Sequence, residues 1–127
     1  MPLTPAQIAV QQAFNQAVIY FNAHQLQNLM TCIDQDAIVY SINGALGYHP
    51  KHVVKVYFKE EFQDNPTFTP AGIPIPQMNP NDTGATVWGQ ATWIDENHPA
   101  GNPLQILYTF TFVLRAGVWL LSTMWGS

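Results

Sequence analysis

The chain reads as an α+β domain, with helices first and a sheet of long antiparallel strands after them. Three observations carry that reading. Thr4-Pro5-Ala6-Gln7 has the form of a helix start, and apolar residues follow it at helical spacing. Ile106, Tyr108, Phe110, Phe112 and Leu114 recur at every second residue, the period of a strand with one buried face. Helical patterns fill the first half and strand patterns the last third, so the two kinds of element are segregated along the chain.

In the first helix Thr4 can cap, Pro5 suits the first helical position and Gln7 can reach back as a capping box. Val10, Phe14, Val18 and Phe21 then give an amphipathic helix that breaks near Asn22-Ala23-His24. Leu26, Leu29, Met30 and Ile33 predict a shorter second helix with Cys32 inside it as a small packing residue. Asp36 to Ile42 is β-branched and aromatic, hence a strand, and Asn43-Gly44 and Gly47 turn the chain. Pro50 opens a third helix with Val53, Val54, Tyr57, Phe58 and Phe62 on its apolar side. Lys51, Lys55 and Lys59 fall on the other side, most simply as a solvated face.

Prolines then stand at 66, 70, 74, 76 and 80, all even-numbered. Proline has no N–H to donate, so this segment could pair only through its odd-numbered side, as an edge strand. Residues 85–95 and 104–115 form two long strands, Ala116-Gly117 turns, and residues 118–126 form the last.

At 127 residues the chain fits one domain spanning 1–127. Hydrophobic residues make up 47% and charged residues only 9%, so Gln, Asn and Thr must keep the surface wet. The net charge of −4, with Lys51, Lys55, Lys59 and Arg115 as the only lysines and arginine, excludes a nucleic-acid partner, which requires a basic patch. No run of about 18 apolar residues exists to span a membrane. The start lacks a cationic segment followed by an apolar one, and Cys32 is alone. A cytoplasmic, soluble protein without a membrane partner is expected.

The order of these elements resembles the cone-shaped family that includes nuclear transport factor 2, ketosteroid isomerase, scytalone dehydratase and the SnoaL-like polyketide cyclases. The carriers are the long first helix ending in NAHQL, the strand DAIVYSI, and a glycine turn before VVKVYFKEEF. VWGQ and the closing FTFVLRAGVW complete the set. The resemblance implies three N-terminal helices packed on a curved, mostly antiparallel sheet that encloses a cavity. It also implies that residues 106–114 of even number face inward, and that a homodimer forms through the sheet.

The isomerase's catalytic set, laid on this sequence, falls at Ala17, at Ser41 and near Tyr108, so only Tyr108 keeps a donor. That chemistry needs a carboxylate to abstract the proton while neutral acids stabilise the enolate, and serine cannot replace the carboxylate. Tyr57 falls close to the isomerase's pocket tyrosine. Arg115 sits on the outward row, and no histidine lies on the sheet, so hydrolase-like and dehydratase-like sets are not matched either.

His24, His49, His52 and His98 all fall at helix ends or in loops, where capping or solvent contact is the simpler account. Asp95, Glu96 and His98 share a loop, but no second cluster answers them, so no metal is expected. The aromatics point to a pocket for a small apolar ligand, lined by Tyr20, Tyr57, Trp88, Tyr108 and Met124, without a cofactor. If the chain is an enzyme, proton transfer is the expected chemistry (isomerisation, cyclisation or dehydration), with Asp36, His49 and Tyr108 as candidate catalytic residues. The alternative is a non-catalytic binding or protein-interaction domain of the same fold.

Overall fold

The computed structural model describes residues 2–40, 47–48 and 51–126, with the backbone alone at Tyr40, Gly47 and Tyr48. Ser41 and His49 therefore lie outside the described residues.

Helix α1 (Pro5–Asn22) begins as its sequence predicts. Thr4 Oγ1 accepts from the Gln7 N–H at 3.1 Å, and Gln7 Oε1 accepts from the Thr4 N–H at 2.9 Å, so two orphan donors of the first turn are satisfied. Val10, Phe14, Ala17 and Phe21 form its buried stripe. The helix ends where His24 takes a left-handed φ of 55° and its Nε2 meets the Pro66 carbonyl oxygen at 2.7 Å. Helix α2 (Leu26–Thr31) is shorter than expected. Cys32 caps its C-terminus, and Ile33 already opens strand β1 (Ile33–Tyr40). After β2 (Gly47–Tyr48), helix α3 (Lys51–Glu61) buries Val54 and Phe58 and leaves Lys55 and Lys59 exposed.

The remaining strands are β3 (Thr67–Pro70), β4 (Gln77–Met78), β5 (Gly84–Ile94), β6 (Leu104–Arg115) and β7 (Val118–Gly126). The sheet order is β2-β1-β7-β6-β5-β3, with β4 also on β5. Every pairing is antiparallel except β1 with β7, which is parallel. Register breaks put an extra residue, Ser122, into β7 opposite β6, and an irregular stretch between Ile33 and Ile38 into β1. Breaks of this kind bend a strand and sharpen its twist.

The proline segment keeps its predicted parity but not its continuity. The odd-numbered Ala71 and Asn79 donate to the Gln90 and Gly84 carbonyls of β5, each at 2.9 Å. Between Ala71 and β4 the chain leaves the sheet as an arch. The arch is fastened to α1 by Gln7 Nε2 on the Pro76 carbonyl (3.0 Å) and Gln11 Nε2 on the Pro74 carbonyl (2.9 Å). Pro74 and Pro76 are buried there while Ile73 and Ile75 face solvent. The expected edge strand is thus two short strands, because buried prolines packed on a helix replace ladder pairing.

The inward row of β5 is Ala85, Val87, Gly89, Ala91 and Trp93, and β6 contributes Ile106, Tyr108, Phe110 and Phe112 as expected. These residues meet the α1 stripe in one hydrophobic core. Opposite them the outward row of β5, Thr86, Trp88, Gln90 and Thr92, is mostly polar.

Candidate functional site: an aromatic hollow under the sheet

Between the sheet and the helices lies a hollow of about 100 Å³. Helix α1 supplies Phe14, Ala17, Val18 and Phe21, and α3 supplies Tyr57 and Phe58. Phe68 closes one side from β3, Trp93 stands on β5, and Ile106, Tyr108, Phe110 and Phe112 rise from β6. Leu121, Met124, Trp125 and Gly126 of β7, with Leu29 and Val39, complete the lining. A dry apolar cavity of roughly 150 Å³ admits benzene, so this space is of small-ligand scale.

The rings hold one another in place. Tyr108 stacks on Phe14 at a centroid distance of 5.7 Å, meets Phe68 edge-on at 5.3 Å and touches Phe110 at 5.0 Å. Phe21 joins Phe58, Phe62 and Trp93 at 6.0, 5.3 and 5.6 Å around the end of α1. Offset and edge-to-face pairs at such separations are the favoured ring geometries.

Polar atoms in the lining are few. Trp93 Nε1 donates to Asp95 Oδ2 at 2.8 Å, which ties the indole to the β5–β6 loop. Asp95 Oδ1 also accepts from the Asn97 and His98 N–H groups and lies 3.0 Å from His98 Nδ1. Burial alone would raise the Asp95 carboxyl, but these hydrogen bonds outweigh it and hold the pKa below its ordinary value. Burial pushes the Tyr108 phenol above its ordinary value, so it remains a donor near neutral pH. Its residue is 2% exposed and its Oη makes no hydrogen bond within the described residues. No sealed side-chain polar atom there lacks a partner, so this oxygen must border open space.

Tyr57, Tyr108 and Met124, three of the expected ligand-binding residues, line the hollow. Trp88 does not: it is 54% exposed on the opposite face, because its parity belongs to the polar row of β5. Tyr20 does not either. It faces a separate shallow groove between α1 and the β6–β7 turn, together with Gln12, Gln16, Cys32, Val118 and Trp119. Asp36, a candidate base by sequence, is a solvent-facing residue of β1 whose carboxylate lies 3.9 Å from Arg115 Nη2, away from the lining. His49 lies outside the described residues. Ala17, where the isomerase keeps its tyrosine, presents only a methyl group to the hollow.

Trp93, Phe14, Phe68 and Phe110 line the hollow without standing out from the sequence as ligand contacts. For Trp93 a signal exists: Ala85, Val87 and Ala91 share its parity and are all small and apolar. Among the described residues no three His, Cys, Asp or Glu side chains converge to hold a metal ion. No described helix is long and apolar enough to cross a membrane.

No family model matches the sequence, and no curated protein does. Solved structures do. An NTF2-like protein of unknown function from Pseudomonas putida superposes with a TM-score of 0.82, over 99% of this chain and 89% of that one, at 10% identity. Aln2 from a Streptomyces species gives 0.80 at 11% identity, covering 100% of this chain and 93% of its own. A putative calcium/calmodulin-dependent protein kinase II association domain from Xanthomonas campestris gives 0.75 at 15% identity, over 90% of this chain and 81% of that one. The chain has the cone-shaped NTF2-like fold, an α+β architecture of helices on a curved mixed sheet. At these identities the likeness defines the fold and not the activity.

Proposed function

We propose that this protein binds a small, neutral, predominantly apolar molecule in the hollow between its sheet and helices. The observation that carries the reading is the lining itself: rings and aliphatic groups, with no carboxylate, imidazole, amine or guanidinium among its described residues. A charged ligand would lose its hydration there with nothing to replace it, whereas a neutral one gains about 25 cal/mol per Å² of apolar surface removed from water. General acid–base chemistry needs a group that titrates near the working pH and reaches the substrate. Tyrosines are the only such hydroxyl acids in the described lining, and Tyr108 is shifted away from neutrality. Binding without proton-transfer catalysis is therefore the favoured reading.

The test is a titration of ¹³C-methyl-methionine protein with benzene and, separately, with benzoate. Saturable shifts of the Met124 methyl with benzene alone are expected. Equal binding of the anion, or no saturable shift with benzene, would overturn the reading.

The outer face of the sheet supports a second proposal, a homodimer. Trp88, Thr109 and Trp125 are in register across β5, β6 and β7, and the two indoles are 54% and 42% exposed, Trp125 also bordering the hollow. Leu107, one step along β6, is 55% exposed beside Gln90. No charged side chain interrupts these rows, so a second copy meets no unpaired charge on desolvation.

A further inference from the structure

Gly89 lies in the interior of β5, where a glycine weakens a strand because it has no side chain to pack. Its φ is not in the left-handed region, which among the described glycines only Gly72 and Gly117 occupy, so the backbone does not call for glycine there. Space does. A Cβ added at Gly89 would stand 3.0 Å from Tyr108 Oη and 3.3 Å from both Cε1 and Cζ of the same ring. Tyr108 is the cross-strand partner of Gly89, and its ring reaches over the bare backbone of β5 while Phe14, Phe68 and Phe110 hold its faces and edge. The other inward positions of β5, Ala85, Val87, Ala91 and Trp93, all carry side chains.

The missing side chain has two effects. The phenol lies against the sheet instead of standing up into the hollow, which keeps that space open. The phenol oxygen, bonded to nothing within the described residues, is left at the edge of open space. We propose that Gly89 and Tyr108 together form the selectivity element of the hollow. Gly89 sets its capacity by letting the ring lie flat, and the Tyr108 hydroxyl donates a hydrogen bond to a carbonyl or ether oxygen of the ligand. The pair thus favours neutral oxygen-bearing compounds over hydrocarbons of the same shape. This rests on the binding reading above and adds to it the chemistry of the ligand.

Cyclohexanone and methylenecyclohexane differ in little but the acceptor oxygen, and serve as the matched probes, read through the Met124 methyl signal. The ketone-to-hydrocarbon affinity ratio reads the hydrogen bond when it is compared between variants, since the unequal cost of taking the two probes out of water is then common to both. Tyr108→Phe should lower that ratio about tenfold, the scale of one neutral hydrogen bond, and keep the affinity for the hydrocarbon. Gly89→Ala should weaken both probes about tenfold or more, since the ring must tilt into the space they use. In the Tyr108→Phe background, where the 3.0 Å contact with Oη is gone, the same change should cost less. Recovery of folding in that double variant, should Gly89→Ala alone fail to fold, would show the contact directly.

An unchanged ketone-to-hydrocarbon ratio in Tyr108→Phe overturns the hydrogen-bond half of the proposal. Unchanged affinities in Gly89→Ala overturn the capacity half. Both results leave the binding reading standing. If neither probe nor benzene shifts the wild-type signal, the binding reading falls and this proposal falls with it.

Discussion

Arg115 Nε donates to Asp34 Oδ1 at 3.0 Å and Arg115 Nη2 to Asp34 Oδ2 at 3.3 Å, joining the last residue of β6 to the second residue of β1. Asp34 is 2% exposed, the one charged residue buried as a whole among the described residues. Asp34 Oδ2 also accepts from the Asp36 N–H at 3.2 Å. Burial by itself would raise this carboxyl, yet Arg115 and the backbone N–H groups outweigh it and lower its pKa.

Removing the guanidinium leaves a carboxylate that is buried and half-paired, a destabilising arrangement. Arg115→Met should therefore lower the melting temperature at pH 7. Arg115→Lys should lower it less, since lysine keeps the charge but not the fork. With a depressed native pKa, Asp34 contributes stability that is present above its unfolded value of 3.8 and is lost as pH falls through the native one. Acid unfolding of wild type should accordingly be steeper below pH 3.8 than that of Asp34→Asn.

Glu61 shows the opposite sign. Burial, then the nearby Asp64 and Asp95 charges, raise its pKa above the ordinary 4.5. Its contribution is present below that value and is lost as pH rises through the raised one. Glu61→Gln should be more stable than wild type at pH 7, and the gap should close below pH 4.5 in thermal melts.

The start of α1 does two jobs, and substitutions can separate them. Thr4→Ala should cost about 1 kcal/mol in urea unfolding through loss of the cap. Gln7→Glu keeps an acceptor for the Thr4 N–H but loses the donor to the Pro76 carbonyl. It should therefore loosen the arch from Ala71 to Pro76, read as faster exchange of the Ala71 amide, which is bonded to the Gln90 carbonyl.

Trp88→Gln combined with Trp125→Gln removes both exposed indoles of the outer row. Sedimentation should then report a monomer where wild type reports a dimer, with little change in the melting temperature extrapolated to low concentration. A wild type that sediments as a monomer at tens of micromolar would rule the homodimer out.

Much of this architecture is legible in the sequence because periodicity constrains it. The capping box at Thr4 and Gln7, the alternating row Ile106–Phe112 and the odd-numbered pairing of the proline segment are local consequences of backbone geometry. What the sequence hides needs tertiary partners. Ile33 matches a helical repeat, but pairing with Leu121 recruits it to β1. Nothing near Asp34 in sequence announces a buried carboxylate, because its partner, Arg115, lies at the far end of β6. Tyr20 and Trp88 stand out by their chemistry, whereas rotation about α1 and parity along β5 decide which cavity or surface each one meets. The reason for Gly89 is likewise invisible until Tyr108 lies over it.

The parallel pairing of β1 with β7 has a temporal consequence. Ile33 finds Leu121, and Val39 finds Met124, only after α3 and strands β2 to β6 have been made. During synthesis β1 is made well before its sheet neighbour β7, and contacts so distant in sequence form slowly. Closure of the cone awaits β7, and a truncation that removes this strand should yield a chain that cannot complete it.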